Sequence, residues 1–289
     1  MGCLNRIPVR VNSQAKRWSR DASVFGYCEY RVPCGVCRVC RVRRRLEWAT
    51  RIVLEGMEHA RCSVVTLTYR PEDSPPDGGL RPKDLQDFLK SLRYFSGEEF
   101  RFFGVGEYGA YGPGHHPHYH VVFFGLDFPD QQFLKRTRKG TALYRSELLD
   151  RAWKKGHAWV GEFSWASAQY VAGYVMKKIG GELADDHYKG LEREFIRVSK
   201  VPGLARSWYD ANWQSMYSDG FILIDGKRRL IPRKFDDWTR EERPEFWAEL
   251  LLARRLDLEE SLDDAEVIES EILIEAQHIF EDSQFLRSA

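Results

Sequence analysis

Half of the chain's eight histidines fall within six positions, in the stretch GHHPHYHVVFFG at residues 114–125. His118 and His120 stand one residue apart at the mouth of an apolar run. Alternate side chains of a strand point to one face. The two imidazoles therefore project together, about 7 Å apart along the backbone, while Tyr119, Val121 and Phe123 project the other way, into a core. Imidazoles so placed can converge on a divalent cation, and a third ligand is then wanted. Glu107 is the candidate. It ends the preceding segment FRFFGVGEYG, and a hairpin return over residues 109–116 would carry it beside His118. The competing reading is a solvated pair of histidines on an open sheet face. His115 and His116 belong to the loop, as bystanders or phosphate contacts. His59, His157, His187 and His278 stand alone and are given no role.

The second constellation is SAQYVAGYVMKKIGG. Tyr170 and Tyr174 are four residues apart and share one helical face, while Val171, Val175 and Ile179 form a separate apolar stripe. Lys177 and Lys178 follow Tyr174 closely enough to flank its hydroxyl. A phenol, with an ordinary pKa near ~10, is a weak nucleophile at neutral pH. A neighbouring ammonium, or a cation drawing charge from the phosphate under attack, makes phenolate attack feasible. The product is a phosphotyrosine ester that keeps the phosphodiester energy for rejoining. Two tyrosines packed at a helix surface are the alternative.

Cys34, Cys37 and Cys40 form C-x₂-C-x₂-C, one ligand short of a closed zinc site that Cys3 or Cys28 could complete. Three reduced thiols in a tight turn are the bland reading. A four-iron cluster would want a further cysteine near position 44, which is Arg44. The adjoining Arg38, Arg41, Arg43, Arg44 and Arg45 are dense for an ordinary solvated face, and their forks match phosphate geometry. Trp48, Tyr69 and Tyr111 are candidates for base stacking, and Cys62, opening a strand, is expected to be buried.

The elements that must position these groups follow from periodicity. Residues 1–32 lack it and read as an irregular basic arm. Leu46, Ala49, Ile52, Val53 and Met57 mark a helix. CSVVTLTYR (62–70) is a strand, RPKDLQDFLKSLRYF (81–95) an amphipathic helix, and residues 100–109 and 118–126 are further strands. Residues 129–142 read as polar and exposed, YRSELLDRAWKKG as a helix closed by its glycine, and HAWVGEF as a strand. The tyrosine segment reads as a helix capped by Ser164 or Ser167 and ended by Gly180-Gly181. A hairpin turns at Asp225-Gly226. Without steady βαβ alternation, the fold class is α+β: a central antiparallel sheet flanked by helices, one face left open for a ligand. Expected divisions are 1–60 (arm, cysteines and basic helix), 61–235 (catalytic domain) and 236–289 (an acidic helical tail).

Residues 236–289 carry 17 acidic and 5 basic side chains, a net of −12, against +13 for residues 1–235. A basic body with an acidic tail suits a nucleic-acid-handling protein. No apolar run reaches the ~18 residues of a membrane span, and the N-terminus has no secretory apolar core. Clustered cysteines suit a reducing compartment, so the expected location is cytoplasmic.

Taken in order, TLTY (66–69), GEYG followed by HPHYH, and YVAGYVMKK resemble the three motifs of the HUH endonucleases. With CGVC before a basic helix, the set is most similar to the rolling-circle replication initiators of Microviridae, the gokushovirus group in particular. The likeness covers about residues 30–235. It implies that His118, His120 and an acidic residue bind Mg²⁺ or Mn²⁺. It also implies that a tyrosine attacks single-stranded origin DNA, leaving a 5′-phosphotyrosine and a 3′-OH for a host polymerase, in the cytoplasm of the bacterial host. In the family a lysine lies three residues after a tyrosine. Lys177 meets this for Tyr174, whereas Gly173 follows Tyr170, which favours Tyr174 as nucleophile. No GxxxxGK[ST] motif occurs, so a helicase would be the host's. The acidic tail could dock such a partner or shield the basic body. No small-molecule substrate is expected. Rival readings are an HUH transposase or mobilisation relaxase, a non-enzymatic zinc-containing DNA-binding protein, and, least supported, an iron oxygenase.

Overall fold

The computed structural model describes residues 7–12, 17–19, 29–35, 37–109, 116–137, 140–176 and 183–260. The backbone divides into two units, residues 45–237 and residues 1–44 with 238–289. The larger unit thus takes in residues 45–60, which the sequence grouped with the arm.

In chain order the elements are β1 (Ile7–Asn12), β2 (Arg17–Ser19), β3 (Glu29–Val32), α1 (Arg38–Met57), β4 (Cys62–Tyr69), α2 (Pro82–Ser96), β5 (Arg101–Tyr108) and β6 (Pro117–Phe124). Then come β7 (Gln132–Arg136), β8 (Ala142–Arg145), α3 (Glu147–Ala152), β9 (Gly156–Gly161), α4 (Trp165–Gly173), α5 (Leu183–Tyr188) and β10 (Phe195–Val198). The last are α6 (Arg206–Asp219), β11 (Ile222–Ile224), β12 (Lys227–Arg229), α7 (Arg233–Glu242) and α8 (Pro244–Glu260).

The larger unit is built on a seven-stranded sheet in the order β10-β5-β6-β4-β9-β8-β7, antiparallel at every pair. Its α+β class and flanking helices are those expected. The chain reaches the centre of the sheet early because Val64, Val65, Thr66 and Thr68 are β-branched and fit a pleated, half-buried surface. One face packs Val65, Leu67, Tyr119, Val121 and Phe123 under α2. Pro82 opens α2, Leu85, Phe88, Leu89 and Leu92 line its buried stripe, and Gly97 ends it in the left-handed region at φ 66°. Each of those four side chains contributes about 1.5–3 kcal/mol by leaving water.

The opposite face was expected to be open, and part of it is covered. Val64, Phe103, Val105, Val122 and Phe124 point that way and are buried. Trp48 of α1 packs on Phe103, with ring centroids 5.1 Å apart, and α4 lies over β6. A row of apolar residues on both faces of a central strand demands cover on both sides.

Other differences are local. Residues 1–32 contribute a three-stranded antiparallel sheet, β2-β1-β3, where an irregular arm was expected. Residues 129–142 hold β7, fully exposed at the sheet edge, and open β8. Ladder hydrogen bonds from β8 order this segment, which has no buried side to betray it. The helix expected over residues 144–156 shrinks to α3. Gly156 does not cap it but opens β9, where a Cβ would stand 1.9 Å from the carbonyl oxygen of Thr68. Cys62 is half-buried. The hairpin at Asp225-Gly226 forms as read, both residues at positive φ. The acidic tail begins as α7 and α8, and residues 261–289 lie outside the described ones. Among the described residues no helix is long and apolar enough to cross a membrane.

Candidate active site

Strand register assembles the centre of the site. β5 and β6 pair so that Glu107 lies directly opposite His118 and Val105 opposite His120. Glu107 and His120 are buried, 1 % and 3 % exposed, while His118 is half-buried. Glu107 Oε1 is in close contact with His118 Nε2 and lies 3.6 Å from His120 Nε2. One ligand atom from each of the three falls within 4.8 Å of the others.

Neighbouring groups orient the rings. His118 Nδ1 donates to the backbone carbonyl of His116 at 2.8 Å, which turns Nε2 toward Glu107. His116 holds φ 46° to present that carbonyl. His120 Nδ1 is 2.9 Å from Thr66 Oγ1, on the strand paired to the other edge of β6. A metal-binding imidazole is held in place by such a contact at its other nitrogen. A carboxylate and two imidazoles suit a divalent cation, and a carboxylate this deeply buried is stabilised by positive charge nearby.

The tyrosine helix meets the same face. Ser164 caps α4 in a reciprocal arrangement with Ser167, and Ala168, Val171 and Ala172 are buried. The α-helix ends at Gly173 and tightens to a 3₁₀ turn at Tyr174–Met176, and the expected stop at Gly180-Gly181 lies outside the described residues. The Tyr174 ring stacks on His120, centroids 4.4 Å apart and planes 5° from parallel. Tyr170 meets the same imidazole edge-on at 5.5 Å. The Tyr174 hydroxyl donates to that of Tyr170.

The two phenols differ. Tyr170 is 54 % exposed and Tyr174 9 %. Removal from bulk water raises both above the ordinary phenol range. For Tyr170 the hydrogen bond received from Tyr174 opposes the rise. For Tyr174, burial and then the neighbouring Tyr170 and Glu107 push it well up. The family resemblance favours Tyr174 through Lys177. In the fold it is Tyr170 that reaches solvent. Lys177 and Lys178 lie outside the described residues, as does Tyr111.

Beside His118 opens a cleft of about 590 Å³, lined among others by Thr68, Arg70, Ser74, Gly78 and His116. A second cleft of like volume at the Cys62 end of β4 holds none of the site residues. Of the arginines singled out, Arg43 and Arg44 are exposed and Arg41 and Arg45 half-exposed. Arg45 Nε donates to the Gln169 carbonyl at 3.0 Å, which ties α1 to the tyrosine helix. Trp48 and Tyr69 are half-buried, and Tyr69 lines the cleft beside His118. Trp48 packs against Phe103 and the Arg51 guanidinium, and Tyr69 is bonded to Asp84 and Tyr119. The sulfurs of Cys34, Cys37 and Cys40 form the other potential metal-ligating group among the described residues, and Cys3 lies outside them. Sequence reasoning did not assign Thr66 or the His116 carbonyl their orienting roles. The alternation of Thr66 with Thr68 was visible, but their partners depend on register.

A family model described as Replication-associated protein ORF2/G2P matches residues 62–179, from β4 to just past the tyrosines. Replication-associated protein ORF2 of Spiroplasma virus 4 is 32 % identical over 240 residues, 78 % of this chain and 72 % of that protein. Replication-associated protein VP4 of Bdellovibrio phage phiMH2K is 28 % identical over 265 residues, covering 86 % and 80 %. Replication-associated protein ORF4 of Chlamydia phage 1 is 30 % identical over 220 residues, covering 73 % and 54 %. No solved structure matches.

Proposed function

The chain belongs to the Replication-associated protein ORF2/G2P family, and from that premise we propose that it initiates rolling-circle replication by nicking and rejoining single-stranded DNA at a phage origin. The observation that carries this reading is one imidazole with two functions: His120 belongs to the Glu107–His118–His120 cluster and packs against both tyrosines.

Mg²⁺ or Mn²⁺ held by Glu107, His118 and His120 would supply positive charge to the non-bridging oxygens of the scissile phosphate. The remaining roles belong to the chain. Tyr170, the exposed phenol, attacks first. Its oxygen bonds to phosphorus as the bond to O3′ breaks. The phenol gives up its proton and the departing O3′ takes one, leaving a 5′-phosphotyrosine and a 3′-OH. Tyr174 donates to the Tyr170 oxygen and steadies the charge that develops there. It serves as second nucleophile when the regenerated origin returns, and the free 3′-OH reseals the circle by the reverse displacement. The strand enters along the cleft beside His118, where Arg70 and the hydroxyls of Thr68 and Ser74 meet phosphate, and Arg41, Arg43 and Arg44 add affinity. Host polymerase and helicase extend and unwind, in the cytoplasm of the infected bacterium.

The test is a cleavage assay with the full chain, Mn²⁺ and labelled origin-bearing single-stranded circular DNA, read as a covalent adduct on a denaturing gel. A metal-dependent adduct, absent from the Tyr170→Phe/Tyr174→Phe double variant, is the result expected. Tight binding with no adduct would support the non-enzymatic DNA-binding reading instead. The relatives' naming for replication favours this role over a transposase or a relaxase.

A further inference from the structure

Cys34, Cys37 and Cys40 take no part in the chemistry just described, yet their sulfurs converge. All three lie within 4.8 Å of one another, and no disulfide joins the described cysteines. In a tetrahedral zinc site with Zn–S near 2.3 Å, neighbouring sulfurs are roughly 3.8 Å apart. Closing to that distance needs movements of at most about 1 Å, within reach of χ1 adjustments.

The backbone is shaped for the same end. Gly35 takes φ +74°, which folds the Cys34–Cys37 turn tightly. The Cys37 amide donates to Cys34 Sγ at 3.3 Å, an N–H aimed at a sulfur three residues back. α1 then starts at Arg38, with the Arg41 amide bonded to the Cys37 carbonyl at 3.0 Å, and carries Cys40 in its first turn. The Arg44 guanidinium comes 3.4 Å from where a Gly35 Cβ would stand, so positive charge flanks the turn. Cys34 is 8 % exposed and the other two are half-buried.

We propose that Cys34, Cys37 and Cys40 are three ligands of a structural Zn²⁺ that locks the turn from which the arginine helix starts. The donor set selects the metal. Three thiolates are soft ligands with no carboxylate or imidazole among them, which suits zinc over Mg²⁺ or Mn²⁺. These three leave one position of the tetrahedron for a further ligand. Held in this way, Arg38, Arg41, Arg43 and Arg44 leave a fixed turn in a fixed direction.

The test uses the full chain, purified in reductant without chelator. Mass spectrometry of the metal content is expected to find near-stoichiometric zinc. Exchange for Co²⁺ is expected to give a thiolate-to-cobalt charge-transfer band in the near ultraviolet, with the intense visible bands of a tetrahedral site. Cys34→Ser/Cys37→Ser loses that band. His118→Ala/His120→Ala keeps it, because the strand site contains no sulfur. Bound iron, or a zinc-free chain whose Co²⁺ form lacks the band in the wild type itself, overturns the proposal without any variant having to fold. Loss of the DNA adduct with the cobalt band intact would count against the nicking reading alone.

Discussion

At the scale of single residues, the two tyrosines are unequal although their spacing makes them look alike. Tyr170 reaches solvent and accepts a hydrogen bond; Tyr174 is buried on His120 and donates it. Tyr170→Phe should abolish the first adduct. Tyr174→Phe keeps the stacked ring but removes the donor. First-adduct formation should slow about tenfold, the kinetic equivalent of a hydrogen bond worth about 1.4 kcal/mol. The reverse pattern, in which only Tyr174→Phe eliminates the adduct, would make Tyr174 the initiating nucleophile. Both phenols are raised above their ordinary range and are neutral at pH ~7, so the ionised fraction grows with pH. Single-turnover cleavage should accelerate from pH ~6 to ~9. A flat profile would mean that a phenolate is already present. Glu107 invites a separate measurement, because a cation that binds only the folded chain stabilises it by about 2.7 kcal/mol at a hundredfold excess over Kd. Mn²⁺ should therefore raise the melting temperature of the wild type and leave Glu107→Gln unmoved.

At the scale of elements, the site depends on β4 and its neighbours. β4 pairs with β6 on one side, bringing Thr66 to His120, and with β9 on the other. β9 leads into α4 through the Ser164 cap. Gly156 is the tightest point of this arrangement, since a Cβ would meet Thr68 O at 1.9 Å. Gly156→Ala should force β9 away from β4 and cost about 1–3 kcal/mol in urea unfolding. It should also slow cleavage, because α4 hangs on that strand. Unchanged stability would show that the β4–β9 pairing is loose enough to yield.

For the whole molecule, the charge separation is the leading feature. The acidic tail brings the net charge from +13 for residues 1–235 to +1 for the chain. Single-stranded DNA affinity should fall linearly with the logarithm of salt concentration. Removing residues 261–289 takes away eight acidic side chains and one basic one. The truncated chain should bind non-origin DNA more tightly at low salt and equally at high salt, where screening erases the difference. Binding that is the same at both would assign the tail to a protein partner instead.

By itself the sequence determined what local periodicity encodes. Strand alternation put His118 and His120 on one face with Tyr119 in the core, helical spacing paired Tyr170 with Tyr174, and the stripe of α2 was plain. Glu107 could be nominated because a hairpin is a short-range event. Three-dimensional structure decided what depends on distant pairing. β10, ninety residues along the chain from β5, closes one sheet edge, and exposed β7 closes the other. The histidine face is covered by α1 and α4. The choice between an exposed and a buried tyrosine follows from that cover. A side chain's face is set by its own backbone, whereas its burial is set by whichever segment comes to lie over it, and neighbours in sequence do not carry that information.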